Sequence, residues 1–163
     1  MDSVIAARNP KASLAILWAG LTCGVLDITA AIVVYGFFGL PPTRLLQGIA
    51  AGLLGARAFE GGLGAALLGL FCHFFIAFCA AAVYFAASRQ FSFLINRAFL
   101  CGALYGIAVY FFMNRIVVPL SAARKYPFSL KMMLIGVAIH IFCVGLPIAI
   151  VTRRYSTSPR VAR

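Results

Sequence analysis

Residues 63–87 read LGAALLGLFCHFFIAFCAAAVYFAA, a run in which no side chain carries a formal charge at pH 7. About 20 mainly apolar residues in an α-helix are enough to cross the hydrocarbon core of a bilayer. Because no water is available there, only a helix satisfies the backbone hydrogen bonds of such a run. The segment therefore predicts a transmembrane helix, and with it an integral membrane protein.

Further apolar runs lie on both sides of this segment, and together they predict four spans, at about 13–40, 63–87, 98–119 and 131–152. We predict an all-α fold, a bundle of four transmembrane helices that forms one domain over residues 1–163, with a basic cytoplasmic tail at 153–163. A signal-peptide apolar region is typically about 7–15 residues long. The first run is much longer, so we expect an uncleaved span.

A shorter helix is predicted at 43–57, between the first two spans, after Pro41 and Pro42 and with Thr43 as its N-cap. Its apolar side chains recur at helical spacing, and they are Leu45, Leu46, Ile49 and Leu53. The opposite side carries Arg44, Gln47, Gly48 and Ala51. This helix is too short to cross the bilayer, so we expect it to lie in the interface or to be re-entrant.

The composition excludes most soluble classes of protein. Of 163 residues, 64% are hydrophobic and 10% are charged, whereas ordinary soluble domains are roughly 45–50% apolar and about 25% charged. The net charge of +11 could indicate nucleic acid. However, the Lys and Arg residues lie between or outside the apolar runs, as membrane flanks do. We therefore expect the lipid bilayer as the partner, and no nucleic acid.

The distribution of basic residues predicts the orientation, because loops rich in Lys and Arg stay in the cytoplasm. Eight of the fourteen Lys and Arg residues belong to the two termini and the 88–97 loop, and six to the other side. Both termini are therefore predicted to be cytoplasmic. Tyr35, Phe37 and Phe38, at the end of the first run, are typical of an aromatic belt.

Polar side chains near the centres of the spans are the most informative residues, because they are costly to bury in lipid. Asp27, His73 and His140 lie in the first, second and fourth spans. Small residues flank each of them at helical spacing, which predicts that these faces pack against protein. Two glycine pairs are predicted to mediate that packing: Gly20 with Gly24 and Gly102 with Gly106.

The third span continues this polar stripe through Tyr110, Asn114 and Arg115, the last as a candidate counter-ion for Asp27. One interpretation is structural: the polar groups form hydrogen bonds and hold the bundle together. The other is functional: Asp27, His73 and His140 meet near the midplane as a cluster that binds protons or a ligand. A third hypothesis is a haem b ligated by His73 and His140.

No other cofactor and no metal site is predicted. The five cysteines all fall inside spans and lack the spacing of a zinc or redox motif, so we interpret them as small hydrophobic residues. No nucleophile elbow, phosphate-binding loop or paired carboxylates are present in the sequence. The chain is therefore not expected to be an enzyme.

Several stretches resemble a group of small four-helix proteins of the bacterial inner membrane. They are 26–30 (LDITA), 46–55 (LQGIAAGLLG), 59–62 (FEGG) and 110–114 (YFFMN). The resemblance covers roughly residues 14–155 and implies a location in the inner membrane, without an activity, cofactor or catalytic residue. A more distant similarity, in the number of spans and the Gly-rich helices, is to the YagU type of inner-membrane protein, which is linked to acid resistance.

These observations favour a multi-pass membrane protein with a role in proton-linked transport of a small solute or in permeability. Two alternatives stay open at this point. The chain can be a structural or accessory subunit of a larger membrane complex, or a homo-oligomer, in which case we expect a small-residue face turned outward. It can also be an electron-transfer protein that holds haem.

Overall fold

The computed structural model describes residues 10–124 and 128–156, and every regular element in these ranges is helical. Four of the helices are long and apolar enough to cross a membrane. The predicted all-α bundle of four transmembrane helices, with a shorter helix between the first two spans, is confirmed. The protein is therefore a multi-pass membrane protein.

The four spanning helices are α1 (Pro10–Phe37), α3 (Gly62–Gln90), α5 (Ala98–Leu120) and α6 (Leu130–Ser156). The two shorter helices are α2 (Pro42–Leu54) and α4 (Phe93–Asn96). A 3₁₀ turn over Gly55–Phe59 continues α2 toward α3.

Helix α1 ends at Phe37, before the predicted limit at residue 40, and α2 begins at Pro42. Gly39 has a φ of 79°, in the left-handed region that glycine adopts without strain. Pro41 is the N-cap of α2 and offers no side-chain hydrogen bond. The expected cap at Thr43 is therefore wrong, because Pro42 already occupies the first helical position, where proline is well tolerated.

The face of α2 that packs against protein carries small and polar residues rather than the leucines. Gln47, Ala50 and Ala51 are buried, whereas Leu53 is 67% exposed. A Cβ placed on Gly69 of α3 would lie only 2.8 Å from the carbonyl carbon of Leu46, so the two backbones nearly touch. Such an approach requires small residues, and a leucine loses nothing by facing lipid.

The order of packing places α1 between α3 and α6, with α2 on α3 and α5 on α6. The largest buried cluster joins all four spans and consists mainly of small side chains. Its members include Ala19 and Cys23 of α1, Ala77 and Ala81 of α3, Ala98 of α5, and Ile148 and Ala149 of α6. Close contact between backbones, rather than large apolar side chains, therefore holds the bundle together.

Two of the spans contain a wider, π-helical turn. In α5 this turn covers Met113–Val117, and in α6 it covers His140–Gly145. Such turns change the direction of the side chains that follow, and they are frequent at functional sites. The turn in α6 begins at one of the two histidines of the chain.

The connections at one end of the bundle contact each other. The backbone N–H of Ala122, after α5, donates to the carbonyl of Gly52 in α2 at 3.0 Å. The Lys131 ammonium at the start of α6 lies 5.1 Å from the ring centroid of Phe38, after α1. The segments that follow α1 and α5 therefore lie at the same end, as four antiparallel spans require.

Candidate functional site

The contact between α1 and α3 is formed by two glycines that receive aromatic rings. A Cβ on Gly20 would lie 2.7 Å from Cε1 of Phe78, and a Cβ on Gly24 would lie 2.7 Å from Cε1 of Phe74. Because both positions lack a Cβ, the rings of α3 lie directly on the backbone of α1. The polar side chains of the two helices are thereby brought within reach of each other.

His73 uses this proximity to bind the backbone of α1. Its Nε2 lies 2.9 Å from the carbonyl oxygen of Gly24. A carbonyl oxygen only accepts hydrogen bonds, so Nε2 carries the proton and donates it. The other ring nitrogen, Nδ1, is therefore the position at which His73 can gain or lose a proton.

Nδ1 of His73 faces the carboxylate of Asp27, with 4.0 Å between Nδ1 and Oδ2. The exposed fractions of the two side chains are 12% for His73 and 19% for Asp27. Asp27 stands one helical turn after Gly24, the residue whose carbonyl orients the imidazole. A single turn of α1 thus supplies both the carbonyl that orients the imidazole of His73 and the carboxylate that faces it.

The carboxylate of Asp27 faces the inside of the bundle. Helix α1, which carries Asp27, packs against α3 and also against the π-helical turn His140–Gly145 of α6. Asp27 contacts α3 through His73.

His140 forms a second pair, with Tyr110 of α5. The two rings are 5.3 Å apart between centroids and nearly perpendicular, at 82°. Nδ1 of His140 lies 2.9 Å from the carbonyl oxygen of Gly136, so by the same reasoning Nδ1 carries the proton. Gly136 also makes room for the Tyr110 ring, since a Cβ there would lie 3.3 Å from Cζ.

Asn114 and Arg115 lie on the exposed surface of α5. The side-chain amide of Asn114 donates to the carbonyl of Tyr110 in its own helix, at 2.9 Å. Arg115 lies within electrostatic range of Tyr110. These two residues thus accompany the Tyr110–His140 pair rather than the Asp27–His73 pair.

The structure therefore arranges the predicted polar residues as two pairs, Asp27 with His73 and Tyr110 with His140.

The four glycines predicted to mediate packing all lie at helix–helix contacts. Gly102 and Gly106 of α5 meet the backbone of α6: a Cβ on Gly102 would lie 2.9 Å from the carbonyl oxygen of Gly145. A Cβ on Gly106 would lie 2.8 Å from Cα of Ile141. The sequence pattern did not identify Gly145 as the residue of α6 that these two glycines contact. Gly145 lies within the π-helical turn, which the spacing of the apolar residues does not predict.

Haem ligation by His73 would require a different position of this side chain, whereas the bond that His140 makes through Nδ1 leaves Nε2 in the orientation of a ligand. Nε2 of His73 is held by Gly24, and its Nδ1 faces Asp27. His140 is held through Nδ1 by Gly136. In the part of the chain that the structure describes, no three His, Cys, Asp or Glu side chains come together as metal ligands. The haem hypothesis stays a prediction, which an absorbance spectrum of the purified protein tests.

Comparison with known proteins adds no further identification. No family model, curated protein or solved structure matches the chain. The functional interpretation therefore depends on the geometry of the bundle and of its polar pairs.

Proposed function

We propose that this multi-pass protein binds and releases protons at the Asp27–His73 pair, as a carrier that couples proton movement to the passage of a small solute requires. The observation that supports this most directly is the 4.0 Å separation of Nδ1 and Oδ2 between two spanning helices. The Tyr110–His140 pair is proposed to belong to the same route.

The hydrogen bond from His73 to Gly24 limits where protons can bind. Nε2 is occupied by the proton that it donates to the carbonyl. The exchangeable proton therefore sits on Nδ1 or on the carboxylate of Asp27.

The charge of the pair depends on this proton. With Nδ1 and the carboxylate both unprotonated, the pair carries one negative charge. One added proton makes the pair neutral overall, whichever of the two atoms holds it. A charge at the centre of a spanning helix costs about 2.5–3.5 kcal/mol on insertion scales. Proton binding therefore changes the electrostatic balance between α1 and α3, which is what a proton-driven movement needs.

Proton flux into vesicles tests the proposal. The purified chain is reconstituted into liposomes that contain a pH-sensitive dye, and an external acid step is applied between roughly pH 5 and pH 8. Wild type should acidify the lumen faster than protein-free liposomes. Asp27→Asn and His73→Gln should remove this excess flux, and His140→Gln should reduce it, while circular dichroism shows an unchanged helix content.

Glu60→Gln is the matched control, because it is the same change from acid to amide at an exposed position outside the spans. It should leave the flux unchanged. A wild-type protein that conducts no more protons than empty liposomes would contradict the proposal. Equal flux in wild type and Asp27→Asn would contradict it as well, and would leave the pair with a structural role.

We also propose a location in the bacterial inner membrane with both termini in the cytoplasm. The basic count supports this orientation, since eight of fourteen Lys and Arg residues lie on the side of the termini. A reporter that fluoresces only in the cytoplasm tests it. Fluorescence is expected from a fusion at the C-terminus and not from an insertion after Arg124. The reverse pattern would invert the orientation.

The outer face of α5 supports lipid, rather than a partner subunit, as the neighbour of this helix. Large apolar side chains are exposed there, including Phe99, Leu100, Leu104 and Phe112. The glycines Gly102 and Gly106 are buried against α6. An accessory subunit that docks through α5 would instead turn small residues outward.

A further inference from the structure

A groove of about 270 Å³ opens where the start of α5 meets the end of α6. It is lined by Ala98 and Phe99 of α5 and by Ile150, Arg153 and Arg154 of α6. One wall is apolar and the other carries two guanidinium groups. Because both spans end at this level, the groove lies at the boundary between hydrocarbon and headgroups.

The charged side chains that the structure describes at this end of the bundle are arginines. Arg89 and Arg97, like the two arginines of the groove, are exposed here. The acids in the described ranges lie elsewhere: Asp27 is in the middle of α1, and Glu60 is in the connection at the opposite end. The positive end of the α5 dipole adds to the same potential. The groove therefore attracts an anion.

The apolar wall distinguishes between the anions that could bind. Phe99 is 65% exposed and Ile150 is 43% exposed, and both side chains lie beside the arginines. A soluble phosphate leaves these side chains without a partner, whereas a phospholipid covers them with its acyl chains. The volume suits a phosphoglycerol headgroup, while the chains continue along the lipid-facing surface of α5.

We propose that this groove binds an anionic phospholipid, with the phosphate between Arg153 and Arg154 and the first acyl carbons against Phe99 and Ile150. Basic pockets between spanning helices are suited to anionic headgroups, because each Lys or Arg near the membrane surface adds to the attraction. The proposal concerns the C-terminal end of α6 and is independent of proton binding at Asp27.

The experiment counts bound lipid on the full-length protein by native mass spectrometry. Protein in detergent is titrated with phosphatidylglycerol, or with phosphatidylcholine that has the same acyl chains. Wild type should retain phosphatidylglycerol preferentially. Arg153→Gln and Arg154→Gln should each weaken its binding roughly fivefold, and the double variant roughly thirtyfold, as the surface potential per basic residue predicts.

A double variant of Arg57→Gln with Arg124→Gln is the matched control, because it removes the same charge from exposed positions at the opposite end. It should bind phosphatidylglycerol like wild type. Equal weakening in the two double variants would overturn the proposal, as would equal retention of the two lipids by wild type. Displacement of the lipid by inorganic phosphate at the same concentration would show a simple anion site, and would overturn the lipid assignment.

Discussion

The α1–α3 contact and the α5–α6 contact both depend on glycine, but different groups fill the space that glycine leaves. In the first, the rings of Phe78 and Phe74 lie on Gly20 and Gly24. In the second, Gly102 and Gly106 receive the backbone of α6 around Gly145. An aromatic side chain can rotate away from an added methyl group, whereas two helix backbones in contact cannot. The same sequence pattern therefore produces one adaptable contact and one rigid contact.

The adaptable contact is the one that carries the Asp27–His73 pair. His73 belongs to α3, the helix that supplies the two rings, and its imidazole is held by the carbonyl of Gly24. The rigid contact contains the π-helical turn, from His140 to Gly145. This division suits a protein in which α3 changes position relative to α1 while α5 and α6 move together.

Gly145→Ala should have the largest effect on stability. Its Cβ would lie 2.7 Å from Cα of Gly106, so one of two packed helices would have to shift. Overpacking of this kind costs typically 1–3 kcal/mol, and we expect a loss of about 3 kcal/mol because both neighbours are backbone. Unfolding in detergent by titration with sodium dodecyl sulfate measures it. A loss below about 1 kcal/mol would show that the α5–α6 contact is not rigid.

Gly20→Ala should cost less, about 1 kcal/mol, because the atoms nearest to the new methyl group belong to the ring of Phe78. A second change, Phe78→Leu, should restore most of this loss by removing the ring. The coupling between the two substitutions is measured as a double-mutant cycle in the same unfolding assay. Additive effects would mean that the backbone of α1, rather than the ring, resists the methyl group.

The sequence predicted the spans and the packing glycines because both are local properties. An apolar run of sufficient length has no alternative to a helix in lipid, and a face of small residues has no better use than close packing. The partner of each face is not local. Gly145 lies between Val144 and Leu146 and belongs to no repeating pattern of small residues. Its contact with Gly106 is therefore visible only in the folded bundle.

Helix α2 shows why burial was harder to predict than helix formation. In water, Leu53 would turn inward and Gln47 outward. In a membrane the driving force for burying leucine disappears. Gln47 is buried instead, and its amide donates to the carbonyl of Gly62 at 2.9 Å. The hydrogen bond from Gln47 to Gly62 and the close approach at Gly69 therefore favour this orientation of the helix.

Tyr105→Phe tests a third kind of contact, between α3 and α5, where neither helix offers a glycine to the other. The Tyr105 hydroxyl donates to the carbonyl of Ala80 at 2.8 Å across the two helices. Hydrogen bonds between spanning helices average about 0.6 kcal/mol, and we expect a loss of that size. Tyr84→Phe, which removes a bond from α3 to the carbonyl of Leu94, is the comparison. If Tyr105→Phe lost as much stability as Gly145→Ala, the hydroxyl of Tyr105, rather than glycine packing, would be the contact that holds α5 most strongly.

Gly48→Ala should have the smallest effect and the opposite sign. Gly48 is exposed on α2, and a Cβ there would meet no atom within 4 Å. Alanine forms helix more readily than glycine by roughly 0.5–1 kcal/mol, so we expect a gain of about 0.5 kcal/mol in the same assay. This gain is the effect of losing glycine where nothing opposes the methyl group. It therefore has to be added to the measured losses at Gly20 and Gly145 before the two contacts are compared. A loss of stability in Gly48→Ala would mean that α2 needs this glycine for a contact of its own. The losses at Gly20 and Gly145 would then have to be compared without the correction that Gly48→Ala provides.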